Sequence, residues 1–425
     1  MDWTKLLTPF RPGADPSPTA AHRLPYEIDT DRIERSRAFA RLNGKTQVHG
    51  RGGTDHTRTR LLHSLEAGRI GRSIAAIIGP VIADRHCNGS ATAARDVMSI
   101  TYAACVAHDL GTSCFGHVGE RIVSGWFRTD GRTLIADLPE DRKADFLTHD
   151  SNAETFRLMT SADGRRRTGL ELTAATIAAA IKYPNTAAAA AAGINGKYAV
   201  FYDDVPAWEA VANACSLPKL GPGLWARAPL SWVSEAADDA AYLVADIEDG
   251  VHLGLLTASE GLDALATLVS HAPVQQRGTG DTLDSMASAA IETLIVHAAT
   301  TYLDNEPRVL DTSWSTPLLD ASPLADAIAR IRALARDRLY HSRPRTYNDL
   351  AAERTVRTLL RAFSTALADY ESSGDAMSPR SAAIIRLLPD RCRVRAPRHL
   401  WLREMVAYIV GCTDAFSEHL AQQLA

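Results

Sequence analysis

The sequence predicts an all-α fold with at most a short β-hairpin, and three observations carry that expectation. Alanine crowds windows such as "LTAATIAAAIKYP", a composition that favours helix over strand. Aromatic residues make up only 6% of the 425 residues, few for a core built on strands. Apolar residues recur at helical spacing in segments whose ends are punctuated by glycine or proline.

Residues 1–30 contain "TPFRPGADPSPTA", too rich in proline and small residues to hold a helix, and are expected as an extended arm. Ordered structure is expected from "DTDRIERSRAF" onward. Helices are expected over about 58–85, 93–110, 115–128, 145–161, 169–182, 204–216 and 232–250. A further set covers about 257–271, 281–304, 322–341, 346–371, 378–388 and 398–424. The expected organisation is a core over 31–275 with a helical region, 276–425, packed on it. In "YPNTAAAAAAGINGKYAVFYDD" (183–204), Pro184 ends one helix, and the aromatic "YAVFY" is the place for a short strand or edge loop.

Composition excludes several classes. Hydrophobic residues at 46% and charged residues at 23% are ordinary for a globular protein. Six cysteines with no CxxC pair suggest neither a disulfide framework nor a thiolate zinc site, which fits a reducing cytoplasm. The N-terminus lacks a basic region followed by an apolar one, and the longest nearly apolar run, around "IAAIIGPVIA", is far short of a bilayer span. The protein is expected to be neither secreted nor membrane-spanning. A net charge of −4 argues against a surface that is one large nucleic-acid footprint. Between Asp31 and Arg72, however, ten Arg or Lys stand against four Asp or Glu, a local excess of +6 that suits a small polyanion.

Three segments carry chemistry. In "RTRLLHSLEAGRIGR", His63 shares a helical face with Ala67 and Ile70. In "VAHDLGTSCFGHVGE", His108 and Asp109 follow an apolar stretch directly, although charged groups are seldom buried unless paired or metal-bound. In "EAADDAAYLVADIED", Glu235, Asp238, Tyr242, Asp246 and Asp249 recur every three or four residues and form one polar stripe. Taken singly, each has an ordinary reading: a packed histidine, or a solvated helix face. Together, two imidazoles and two carboxylates from three helices match the donor set of a borderline divalent cation with positions left open for water and substrate.

H…HD…D with these flanks resembles the HD-domain superfamily of metal phosphohydrolases. The segments "RIERSRAFARLNGKTQV", "TRLLHSLEAGRIGR", "AHDLGTSCFGHVGE", "HDSNAETFRLM" and "LELTAATIAAAIKYP" narrow the resemblance to its deoxynucleoside triphosphate triphosphohydrolase, or dGTPase-like, branch. The resemblance spans about 31–250, with weaker echoes over 339–363. It implies an HD-domain helical bundle in which His63, His108, Asp109 and Asp238 hold one divalent ion, Mn2+, Mg2+ or another transition metal, with Asp239 supporting from behind. It implies that His117 and Glu120 are the acid/base pair and that His149 stands at another family histidine position. It further implies that Arg60 and Lys182 contact phosphates, that Tyr242 packs on the sugar, and that Gln47 and Asp246 bond the 3′-hydroxyl. The expected reaction releases deoxynucleoside and triphosphate from a dNTP, by a cytoplasmic homo-oligomer, hexamer or tetramer.

The chain departs from relatives that read HDxGHPPFGH. Thr112 replaces a histidine or asparagine, and Ser113–Cys114 replaces two prolines. Thr112 retains one hydrogen-bond donor for a phosphate, and loss of the prolines is expected to loosen the loop carrying His117. Two other readings stand beside the first: an HD-type phosphodiesterase or nucleotidase, and a weakly active nucleotide sensor or nucleic-acid-binding protein. The arginine-rich "RLLPDRCRVRAPRHLWLR" (386–403) reads either as a solvated helix end or as a second anionic site, for single-stranded DNA or a regulatory nucleotide, with Trp401 placed to stack a base.

Overall fold

The computed structural model describes residues 1–14, 23–47, 58–161, 169–193, 196–271, 282–388 and 397–425. Its regular structure is helical apart from one two-stranded antiparallel hairpin. Two large apolar clusters organise the helices.

The first cluster is built on three long helices, Arg60–His86, Ala91–Ala107 and Pro229–His252. They meet through Ile74, Ile78, Val97, Ile100, Val233 and Val244. Small residues let the backbones come close: a Cβ on Gly71 would stand 2.5 Å from Cys105 Sγ. The hydroxyls of Thr59 and Ser90 cap the first two helices by accepting backbone N–H groups. The third starts at Pro229, whose fixed φ suits a first helical position. Helices Ala174–Ala180 and Leu283–Leu310 complete this core.

The second cluster joins His117–Arg128 and Glu140–Leu147 to Arg343–Ser373, Pro379–Ile385, Arg398–Gly411 and Asp414–Leu424. Val123, Phe127, Leu360 and Ile409 lie at its centre. The two cores therefore interleave along the chain. Residues 114–147 share a core with those after 343, whereas Leu283–Leu310 belongs with the first.

Several expectations are corrected. The segment expected as an extended arm is docked where it is described: Trp3 is buried and its indole N–H donates to Glu306 Oε1 at 3.1 Å. A helix, Pro25–Glu34, begins within it because proline can open a helix. Residues 15–22 lie outside the described residues. Of the two readings of "YAVFY", strand or loop, the structure has the loop: Val200 makes one isolated bridge with Thr186. The hairpin lies instead at Lys219–Gly221 and Leu224–Trp225, turned through Gly223 at φ +65°. The helix expected over 398–424 is two helices, broken where Thr413 caps the second. Trp401 is buried against Tyr370 in the second core and has no face free for a base, and Arg403 is buried and paired with Asp203 and Asp204. The middle of that arginine-rich stretch, 389–396, lies outside the described residues. Among the described residues, no helix is long and apolar enough to cross a membrane.

Candidate active site

The three helices of the first core bring the conspicuous polar residues together. His63 is fully buried one turn into its helix, on the face shared with Ala67 and Ile70. Its Nε2 stands 2.9 Å from Asp238 Oδ1, and His108 Nε2 stands 3.3 Å from the same oxygen. The His108 ring is oriented by its other nitrogen, which donates to the Cys105 carbonyl at 2.5 Å. That bond fixes the proton on Nδ1 of the neutral ring and leaves the Nε2 lone pair aimed at the cluster. His63, His108 and Asp238 each offer one ligand atom, and all three atoms lie within 4.8 Å of one another. Donors about 2.1 Å from an ion at tetrahedral or octahedral angles stand roughly 3.0–3.4 Å apart. The donor set and its spacing therefore fit a divalent cation. His108 Nε2 and His63 Nδ1 are buried without a hydrogen-bond partner, unusual for buried polar atoms and consistent with a group built for another ligand.

Asp109, expected as a fourth ligand, lies at the margin. Its Oδ1 is 3.7 Å from His108 Nε2 and accepts from the Thr112 hydroxyl at 2.8 Å, while Oδ2 accepts from Arg60 Nη1 at 2.8 Å. Burial alone would raise the Asp109 pKa, but Arg60 and the neighbouring imidazoles hold the carboxyl well below the usual range. Lys182, expected on a phosphate, places its ammonium on Asp238 Oδ2. Against the effect of burial, Lys182 likewise holds Asp238 in its charged form.

The stripe on Pro229–His252 is not a solvated face. Glu235, Asp238, Asp246 and Asp249 are all buried. Asp249 is held by Arg58 at 2.7 Å, just before the His63 helix. Tyr242 packs its ring on His63 with centroids 4.3 Å apart. Asp246 accepts the Tyr340 hydroxyl, and burial pushes its carboxyl up to about 6. Asp239 bonds Arg332 at 2.9 Å.

His108, Asp109, Glu235, Asp238, Tyr242 and Asp246 line a cavity of about 820 Å³, the size class of a small-molecule site. Gln47, Arg60, Thr112, Lys182, Tyr242 and Asp246 are on its wall. Both amide atoms of Gln47 are buried without a partner. On the side belonging to the second core, His117 Nδ1 stands 2.8 Å from Glu120 Oε2. Glu120 Oε1 accepts from the Ser151 amide at 3.1 Å. Burial would raise Glu120, but the His117 hydrogen bond and the Lys197 charge hold it ionised well below the usual range.

No family model matches this chain. It is 32% identical to the deoxyguanosinetriphosphate triphosphohydrolase-like protein of Pseudomonas aeruginosa (strain LESB58), over an alignment of 446 positions covering all of this chain and 98% of that protein. The chain belongs to the deoxyguanosinetriphosphate triphosphohydrolase-like family. Family members of the same name from Synechocystis sp. and Listeria monocytogenes align over the whole chain and 99% of their own lengths, at 30% and 27% identity.

In this family member, two sequence expectations meet a different geometry. His149 is buried and is not among the residues lining the cavity; it stacks on Phe201 with its Nε2 unpartnered. The basic excess over 31–72 is mostly committed elsewhere. Among its described cations only Arg60 lines the cavity, whereas Arg58 is engaged by Glu66, Glu248 and Asp249 and Lys45 by main-chain carbonyls. Arg51 lies outside the described residues. Apart from Lys182, the cavity's other cations, Arg121, Lys197, Arg332, Arg336 and Arg345, lie outside the motifs quoted for the site, Arg345 in the weak echo over 339–363, and the sequence offered no signal for them beyond their charge.

Proposed function

We propose that this chain hydrolyses deoxynucleoside triphosphates, dGTP among them, at the α-phosphorus to deoxynucleoside and triphosphate, with a divalent cation held by His63, His108 and Asp238 and completed by Asp109. The observation that carries this reading is the convergence of two imidazoles on Asp238, which lines the same cavity as the His117–Glu120 pair. When bound, the ion would supply Lewis acidity to a phosphate oxygen and to water. The residues of the chain do the rest. Glu120 fixes the His117 proton on Nδ1, so the exposed ring presents Nε2 to the cavity as a proton acceptor or donor. Arg60 keeps donors beyond those given to Asp109, and Arg121 and Arg336, without an ion-pair partner among the described residues, are available to neutralise the triphosphate. The Gln47 amide and the Asp246 carboxylate supply bonds for a 3′-hydroxyl, and Tyr242 forms the wall that a 2′-hydroxyl would meet. The Thr112 hydroxyl, having given its one proton to Asp109, acts by fixing that carboxylate and not as a phosphate donor.

The test is to incubate each of the four dNTPs, alone and mixed, with Mn2+ or Mg2+ in 18O-labelled water and to resolve the products chromatographically. Deoxynucleoside and labelled triphosphate are expected. Release of a monophosphate or diphosphate would establish a nucleotidase or phosphodiesterase instead. Nucleotide-dependent assembly without turnover under any metal would establish a sensor. The reading carries with it a homo-oligomer, hexamer or tetramer, which sedimentation measures directly.

A further inference from the structure

The loop that carries His117 has no proline between Asp109 and His117, yet it is tied down at every residue from Thr112 to Phe115. The Ser113 amide donates to Ser151 Oγ at 3.0 Å, and the Cys114 amide donates to the Val410 carbonyl at 2.9 Å. Two charged side chains hold the rest. Lys45 is buried, and its ammonium donates to the carbonyls of Thr112 and of Val410, the latter at 3.0 Å. Among the described residues no carboxylate lies within ion-pair distance of it. A buried ammonium satisfied only by main-chain carbonyls is costly to keep, and burial pushes Lys45 down to about 8. Asp414 mirrors it with opposite charge: Oδ1 accepts from the Phe115 amide at 2.8 Å and Oδ2 from the Thr46 amide at 2.9 Å.

The backbone being held is strained. Phe115 has φ +59°, a left-handed conformation uncommon for a bulky residue, which persists only where its surroundings impose it. The next residue, Gly116, has φ +61°, and a Cβ there would stand 2.9 Å from Arg60 Nη2. His117 follows immediately as the first residue of its helix, without a side-chain cap before it.

We propose that Lys45 and Asp414 are paired positioning residues. The ammonium gathers two carbonyls and the carboxylate two amides, and the resulting clamp joins segments 44–47, 112–116 and 410–414 so as to place His117 and Gln47 in the cavity. The clamp stiffens, with polar ties from the C-terminal helices, a loop that has no proline of its own. Its effect on turnover rests on the triphosphohydrolase reading; its effect on the loop does not.

The test compares wild type, Lys45→Met and Asp414→Asn in the full chain by hydrogen exchange, Mn2+ titration calorimetry and turnover of dGTP. Exchange of peptide 110–120 is expected to rise at least tenfold in both variants while peptide 66–80 of the His63 helix is unchanged. Mn2+ affinity should stay within twofold and kcat should fall at least tenfold. Unchanged exchange at 110–120 would overturn the clamp, as would an equal rise in both peptides, which marks general destabilisation. Loosened exchange with undiminished kcat would overturn its role in positioning. If wild type releases no triphosphate, the functional reading fails, and the exchange measurements still decide the clamp.

Discussion

The two cores hold their polar site residues by different means. On the first, each candidate ligand is carried by or directly follows a long helix packed against the other two, and close approaches such as that at Gly71 leave the side chains little room. Charge is balanced locally, Asp109 by Arg60 and Asp238 by Lys182. On the second, the candidate acid/base pair starts a helix of 12 residues reached through a left-handed turn, and its placement depends on a handful of polar ties that cross the chain. Dense packing thus fixes the candidate metal centre, and a few hydrogen bonds fix the group that would move the proton. The two halves of one site should fail separately.

The sharpest way to break the comparison is Asp238→Ala. It removes the oxygen that both imidazoles face and strands the Lys182 ammonium. Turnover should fall by about 10³-fold or more, and Mn2+ binding by calorimetry should disappear with it. Retained metal binding would show that the ion sits elsewhere. His117→Ala is the matching change on the other core: kcat should drop about 10²–10⁴-fold while Mn2+ affinity stays at the wild-type value. If the His117 change also abolished metal binding, the two halves would be one mechanical unit. A smaller effect is expected at the join, where Tyr242 packs on His63. Tyr242→Ala should narrow the preference for dGTP over GTP by roughly tenfold, read from the ratio of kcat/KM values; an unchanged ratio would remove Tyr242 from sugar selection.

The same contrast explains what could be read from the sequence. The face of His63, Ala67 and Ile70 follows from helical spacing, whereas the pairing of His117 with Glu120, which the structure places at i, i+3, was expected only through the family resemblance. The stripe from Glu235 to Asp249 was legible as a stripe but not as buried, because its burial depends on what packs over it, and a helix pattern alone does not name the cover. Lys182 and Thr112 were legible as polar groups near a phosphate site, but their partners are Asp238 and Asp109, and competition among neighbours is settled only in space. Lys45 and Asp414 left no local trace at all: their ties end on main-chain atoms, and Asp414 is separated from Thr46 by 368 positions. Trp401 shows the opposite failure. Set among arginines it reads as a surface residue, yet the second core needs its bulk.

The smallest expected effect concerns the treatment of buried carboxyls. Asp109, Asp238 and Glu120 are held below their ordinary values by cations, so their contribution to stability is present above about pH 4 and is lost only on acidification. Asp145, on the helix Glu140–Leu147 beside the second core, is not so compensated. One oxygen accepts the Tyr202 amide at 2.9 Å, the other is buried without a partner, and burial pushes the group up to about 8. Between pH 4 and 8 the unfolded chain has released this proton while the folded chain keeps it. Folding therefore takes up a proton in that window, and stability falls as pH rises, until the folded group ionises near 8 and the slope ends. Asn keeps an acceptor for the Tyr202 amide and cannot ionise. Asp145→Asn should flatten the urea-denaturation stability between pH 5.5 and 7.5 by up to about 1.4 kcal/mol per pH unit, whereas no change of slope in that window would mean that Asp145 is ionised in the folded protein and is compensated by a cation, as Asp109 is by Arg60.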